Sequence, residues 1–156
     1  MERKTKVHAE PNKQELFITR NFELPVELLF KAYTEAEIVA QWMSTRVLKL
    51  ENKTHGGWAF ETADKDGNVV FKANGVIHEF IPNQKIVRTF EMNNAPFGAQ
   101  LEFLEFKALS ETSSQLSIQI IYRSMAVRDQ VLQLPFAQGI NMAHNRLEEI
   151  VHQLNS

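Results

Sequence analysis

An α+β domain, with a strongly curved seven-stranded antiparallel sheet wrapped around a long C-terminal helix, follows from three features of the 156-residue sequence. Residues 46–122 alternate between apolar and polar side chains, broken only by short turns, and read as strand after strand. Phe136, Ile140, Ala143, Leu147, Ile150, Val151 and Leu154 share one face of a helical period, a helix of about five turns. Consecutive strands joined by tight turns form an antiparallel meander, and only this helix is long enough to cover its apolar face.

Each element has its own signal. Met1 to Lys13 is polar and mixed in charge, and reads as a flexible arm ahead of a single 1–156 domain. Leu16, Ile18 and Phe22 alternate with polar neighbours in a first strand. Pro25 suits the first position of a helix, where its missing N–H goes unnoticed, and Val26, Leu29, Phe30 and Tyr33 continue at helical spacing. Thr34 is placed to cap a second short helix, Glu35 to Trp42, with Glu37 at the third position after it. Strands follow at Arg46–Glu51, Trp58–Thr62, Val69–Phe80, Lys85–Glu91, Gln100–Leu109 and Gln115–Tyr122. The turns between them carry His55-Gly56-Gly57, Lys65-Asp66-Gly67, Pro82-Asn83, Asn93 to Gly98, and Ser110 to Ser114. Gly75 marks a bulge or bend inside the long third of these strands. A short helix, Met125 to Gln133, leads through Pro135 into the last one.

Composition removes several function classes. The chain has no cysteine, which excludes disulfides, thiol catalysis and cysteine-based zinc sites. Its net charge of −2 and dispersed Lys and Arg give no basic stripe for nucleic acid. No stretch approaches the roughly 18 apolar residues of a membrane span, and no signal peptide is evident, so the expected location is cytoplasmic. Gly56-Gly57 lacks the Gly-Lys-Ser/Thr ending of a phosphate loop, and no Gly-x-Ser-x-Gly element occurs.

Leu16-Phe17-Ile18-Thr19-Arg20 leading to Pro25, followed by Tyr33-Thr34 and Gln41-Trp42, resembles the opening of the activator of heat-shock-protein-90 ATPase homologue-like family. That family lies in the START-related, birch-pollen-allergen-like (SRPBCC) superfamily. Gly56-Gly57-Trp58-Ala59-Phe60, Gly75 to Pro82, and Gly139 with Leu147-Glu148 agree with its later pieces. The likeness covers about Glu15 to Leu154 and implies a helix-grip fold with a deep cavity between sheet and helix. Several positions depart from the family's habit: Leu24, Tyr33, Ala36, Met43 and Ile140 replace residues of different bulk. A relative's ligand therefore does not transfer to this chain.

The resemblance and the aromatic content together set the expected function, a non-enzymatic binding domain for a small hydrophobic, aromatic or lipid-like molecule. Trp42, Phe60, Phe71, Phe90, Phe103, Tyr122 and Phe136, with Ile77, Ile140 and Ala143, are candidates to line the cavity. For each aromatic, plain core packing is the competing reading. His78, Glu79 or Arg88 are candidates to fix a polar end, and Glu79 or Glu105 is the expected ion-pair partner of Arg88. Arg20 shares a strand face with Leu16, Ile18 and Phe22, so it too requires a partner. His144, Glu148 and His152 fall four apart and read as a solvated helix stripe rather than a metal site. No cofactor or metal is expected. The alternatives are a co-chaperone-like domain that stimulates a chaperone ATPase and a cyclase- or hydrolase-type enzyme using the same cavity. Met142, off the buried helix face, is a possible homodimer contact.

Overall fold

The computed structural model describes residues 3–93 and 95–155. Met1 and Glu2 of the expected arm and Asn94 of the expected Asn93–Gly98 turn lie outside the described residues, as does Ser156.

The chain runs β1 (Lys6–His8), β2 (Glu15–Phe22), α1 (Val26–Thr34), α2 (Ala36–Trp42), β3 (Arg46–Leu50), β4 (Gly57–Ala63), β5 (Val69–Ile81), β6 (Lys85–Met92), β7 (Gln100–Ala108), β8 (Ser114–Ile121), α3 (Met125–Gln133) and α4 (Phe136–Leu154). All neighbours in the sheet are antiparallel, in the order β1-β2-β8-β7-β6-β5-β4-β3. The sheet has eight strands rather than seven. The addition, β1, comes from the segment read as a flexible arm, where Lys6, Val7 and His8 pair with Thr19, Ile18 and Phe17. Three residues are too few to show an alternation, which is why the segment carries no strand signal.

Strand alternation places one face of the sheet inward. Leu16, Ile18, Leu104, Leu116, Ile118 and Ile120 are buried there beneath α1, α2 and α4. Leu147 and Val151 of α4 close the same core. The α4 backbone comes nearest to α2, α1, α3 and β1. Helix α3 begins at Ser124, whose hydroxyl accepts a hydrogen bond from the Val127 N–H at 3.1 Å, an N-terminal cap. Thr34 does not cap α2. Its hydroxyl donates back to the Phe30 carbonyl at 2.9 Å, and Glu35 takes the capping position in extended backbone.

The ladder between β5 and β6 opens at Gly75 and Val76. The Trp58 indole crosses over Gly75 from β4 and donates to the Thr89 carbonyl at 3.1 Å, while the Val76 N–H donates to the Thr89 hydroxyl at 2.9 Å. Side chains thus satisfy the backbone groups that the opened ladder leaves. A true bulge follows, between Ile77 and Glu79. Trp58→Phe keeps an aromatic side chain, though a smaller one, but strips the Thr89 carbonyl of its indole donor, and is expected to cost about 1–3 kcal/mol. Urea unfolding measures it, and a loss below about 0.5 kcal/mol, within the range of ordinary surface changes, would contradict this account.

Candidate functional site

The inward face has a polar end. Near the start of β7 and the end of β6, Arg88 lies over the Trp58 ring at 5.1 Å and donates from Nε to Glu102 Oε1 at 2.9 Å. Gln100 Nε2 donates to Glu102 Oε2 at 2.7 Å. Arg88 and Glu102 stand directly opposite one another in the β6–β7 register, which is what pairs them. Among the described residues, the Arg88 Nη groups make no hydrogen bond. The Arg88 side chain is 12% exposed, so this is a pinned guanidinium with donors to spare.

Aromatic rings surround it. Trp58 packs on Phe60 at 4.8 Å and on Phe90 at 5.4 Å between ring centroids. Ile77 and Tyr122 are buried in the hydrophobic core, and Phe71, Phe97, Phe136, Ile140 and Ala143 are partly buried against that core. Burial, then the Glu102 carboxylate, push the Tyr122 hydroxyl above its usual range, so Tyr122 acts as a neutral phenol. Such an arrangement can hold an apolar body against rings and bond an acceptor oxygen at one end.

Residues 23–152 match the family described as Activator of Hsp90 ATPase homolog 1-like protein. The chain belongs to this family. Solved structures share its fold at low identity. A protein from Rhodobacter sphaeroides aligns at TM-score 0.82 and 17% identity, over 96% of this chain and 99% of its own. One from Mycobacterium smegmatis aligns at TM-score 0.82 and 16% identity, over 94% and 95%. One from Chromobacterium violaceum aligns at TM-score 0.73 and 19% identity, over 88% and 96%. No curated protein sequence matches.

Within this family member, the candidates divide. Phe60, Phe71, Ile77, Arg88, Phe90, Tyr122, Phe136, Ile140 and Ala143 all belong to the inward set or pack against it. Trp42 is buried in the same core, among the helices: its indole donates to the Ala32 carbonyl at 2.7 Å and its ring lies 5.0 Å from that of Tyr33, a contact that fastens α2 to α1. Three candidates face away. His78 is exposed, with its ring 6.2 Å from that of His55. Glu79 pairs with Lys85 at 3.5 Å. Phe103 alternates with the buried Glu102 and Leu104 and therefore points to the outer face of the sheet. Glu105 lies on that same outer face and is exposed, so neither it nor Glu79 reaches Arg88.

The sequence reading missed a second polar cluster. His144 is 0% exposed, not part of a solvated stripe. Its Nδ1 is hydrogen-bonded to the Thr5 hydroxyl at 2.9 Å and its Nε2 to the Tyr33 hydroxyl at 3.0 Å. Arg20 Nη1 donates to Thr5 Oγ1 and to Asn145 Oδ1, and Nη2 lies 3.5 Å from Glu148. The Thr5 N–H donates to Asn141 Oδ1, so the segment ahead of β1 is tied to α4. Burial, and secondarily the nearby Arg20 charge, push the His144 pKa down to about 3. With both ring nitrogens engaged, His144 is not available to join Glu148 and His152 around a metal. The signal was there in spacing: His144 sits four residues after Ile140 and three before Leu147, on the buried face.

Proposed function

We propose that this family member is a binding domain for a small, largely apolar molecule with one acceptor oxygen, held between the sheet and the first turns of α4. The observation that carries the reading is Arg88, fixed through Nε to Glu102, laid over the buried Trp58, and keeping its Nη donors free beside the buried Phe60 and the partly buried Phe90 that pack on that ring. A buried polar donor set in an apolar wall supplies orientation, while the rings supply contact area. Phe60, Phe90 and Ile140 would flank the apolar body.

The test uses a series of medium-chain fatty acids and aryl carboxylic acids. A binder should raise the melting temperature and shift the resonances of Phe60, Phe90 and Ile140. Arg88→Lys keeps the charge beside Glu102 but removes the planar fork, and should weaken binding about tenfold, the size of one lost hydrogen bond to a charged group. No thermal shift across the series, together with a crystal structure in which these side chains fill the space, would overturn the reading. An activity on a chaperone ATPase, the role named in the family description, is a separate reading. Stimulation of the host chaperone that survives Arg88→Lys would favour it.

A further inference from the structure

We infer that the polar end at Arg88 takes an uncharged carbonyl oxygen, as in a ketone, in preference to a carboxylate, and that Glu102 sets this preference; this rests on the binding role proposed above and names the chemical class of its ligand.

Strand register builds this end from three strands. Arg88 stands opposite Glu102 on β6 and β7, and Phe90 opposite Gln100. Ile120 of β8 stands opposite Glu102. Tyr122 follows two residues on, its N–H bonded to the Gln14 carbonyl and its side chain buried, so it shares the inward side with Ile120. Glu102 Oε1 accepts from Arg88 Nε and Oε2 accepts from Gln100 Nε2, so each carboxylate oxygen already holds a donor. Among the described residues, neither the Arg88 Nη groups nor the Tyr122 hydroxyl makes a hydrogen bond. This end therefore presents donors, and a ligand has to bring the acceptor.

Charge decides which acceptor. Arg88 and Glu102 form an ion pair with side chains 12% and 8% exposed, and their charges sum to zero. Burial first, then Glu102, raise the Tyr122 hydroxyl, which stays neutral. Arg128 also bears on Tyr122, but its guanidinium is taken up by the Glu10 and Glu15 carbonyls and by Asp129. A ligand carboxylate would thus bring a second negative charge beside Glu102 with no second cation to meet it. Trp58, Phe60 and Phe90 cannot replace the water it loses. A ketone oxygen accepts the same Arg88 bond and leaves the ion pair balanced.

The probes are decanoic acid and methyl nonyl ketone, which share one alkyl chain, titrated by calorimetry at neutral pH, where the acid is ionised. The ketone should bind at least about tenfold more tightly, reflecting the cost of an unpaired buried charge. Any apolar pocket favours the neutral compound to some degree, so the deciding readout is a reversal. Glu102→Gln keeps an oxygen for Arg88 Nε but leaves the guanidinium charge unbalanced, and decanoate should become the tighter ligand. If that variant does not fold, Gln100→Lys supplies a second cation at the half-buried neighbour of Glu102 and should shift the order the same way. Decanoate binding as tightly as the ketone to the unaltered protein would overturn the preference and leave the binding role standing. The ketone remaining tenfold tighter in the folded variant would overturn the part given to Glu102. Binding of neither compound would remove both.

Discussion

Gly75→Ala is expected to remove about 4 kcal/mol or more of unfolding free energy, from overpacking and broken hydrogen bonds combined. A β-carbon at this position would stand 1.9 Å from the Thr89 carbonyl oxygen and 2.6 Å from the Trp58 indole nitrogen. Neither is a flexible tip that can swing aside. The carbonyl belongs to β6, and the indole is packed between Phe60 and Phe90. Relief requires β5 and β6 to part, and that breaks the Trp58–Thr89 and Val76–Thr89 bonds together. Many domains have only about 5–15 kcal/mol to lose, so the variant should be largely unfolded at moderate denaturant. Equilibrium urea unfolding decides it, and a loss under about 1 kcal/mol would mean that the close approach at Gly75 is not a constraint.

Acid should weaken the protein through His144 well before its carboxylates are protonated. The folded pKa of His144 is pushed down to about 3 from the usual 6.5, so the folded state keeps the ring neutral while the unfolded chain takes up a proton. The stabilisation is therefore complete above pH 6.5 and is lost as pH falls toward 3. The slope is about 1.4 kcal/mol per pH unit below 6.5, or roughly 3 kcal/mol by pH 4.5. The groups facing the ring oppose a second proton. Arg20 is positive, and although Glu148 lies beside Arg20, the aromatic neighbours Phe22 and Trp42 keep water from the imidazole. Unfolding at a series of pH values, compared with His144→Gln, isolates the effect. The variant should show a flatter profile between pH 6.5 and 5, and parallel profiles would refute the assignment.

The periodic elements were legible from residues alone. The 3.6-residue pattern from Phe136 to Leu154 is α4. Met125 to Gln133 is α3, and the six strands from Arg46 onward shift by only a residue or two at their ends. What failed depended on partners far away in the chain. Lys6 to His8 becomes a strand because β2 offers an edge, not because of its own composition. Sequence alone pairs Arg88 with Glu79 or Glu105, but strand parity puts Glu105 on the opposite face from Glu102, and register cannot be read from one strand. His144 reads as solvated from its polarity although its helix position is on the buried face, and its burial depends on Thr5 and Tyr33 meeting its two nitrogens. Arg20, whose strand face calls for a partner without naming one, belongs to the same cluster.

The placement of β2 between β1 and β8 has a consequence for how the chain is assembled. Gln14, at the head of β2, bonds to Tyr122 across 108 positions, and Thr5 reaches His144 across 139. Contacts so distant in sequence must wait for most of the chain to be present, and a topology rich in them folds slowly. A nascent chain emerging from the ribosome can form the β3–β7 meander first, from neighbours already made. Its early strands stay unsecured until β8 arrives, and the Thr5 tie closes only after much of α4 has wound, so a segment synthesised early is locked in late.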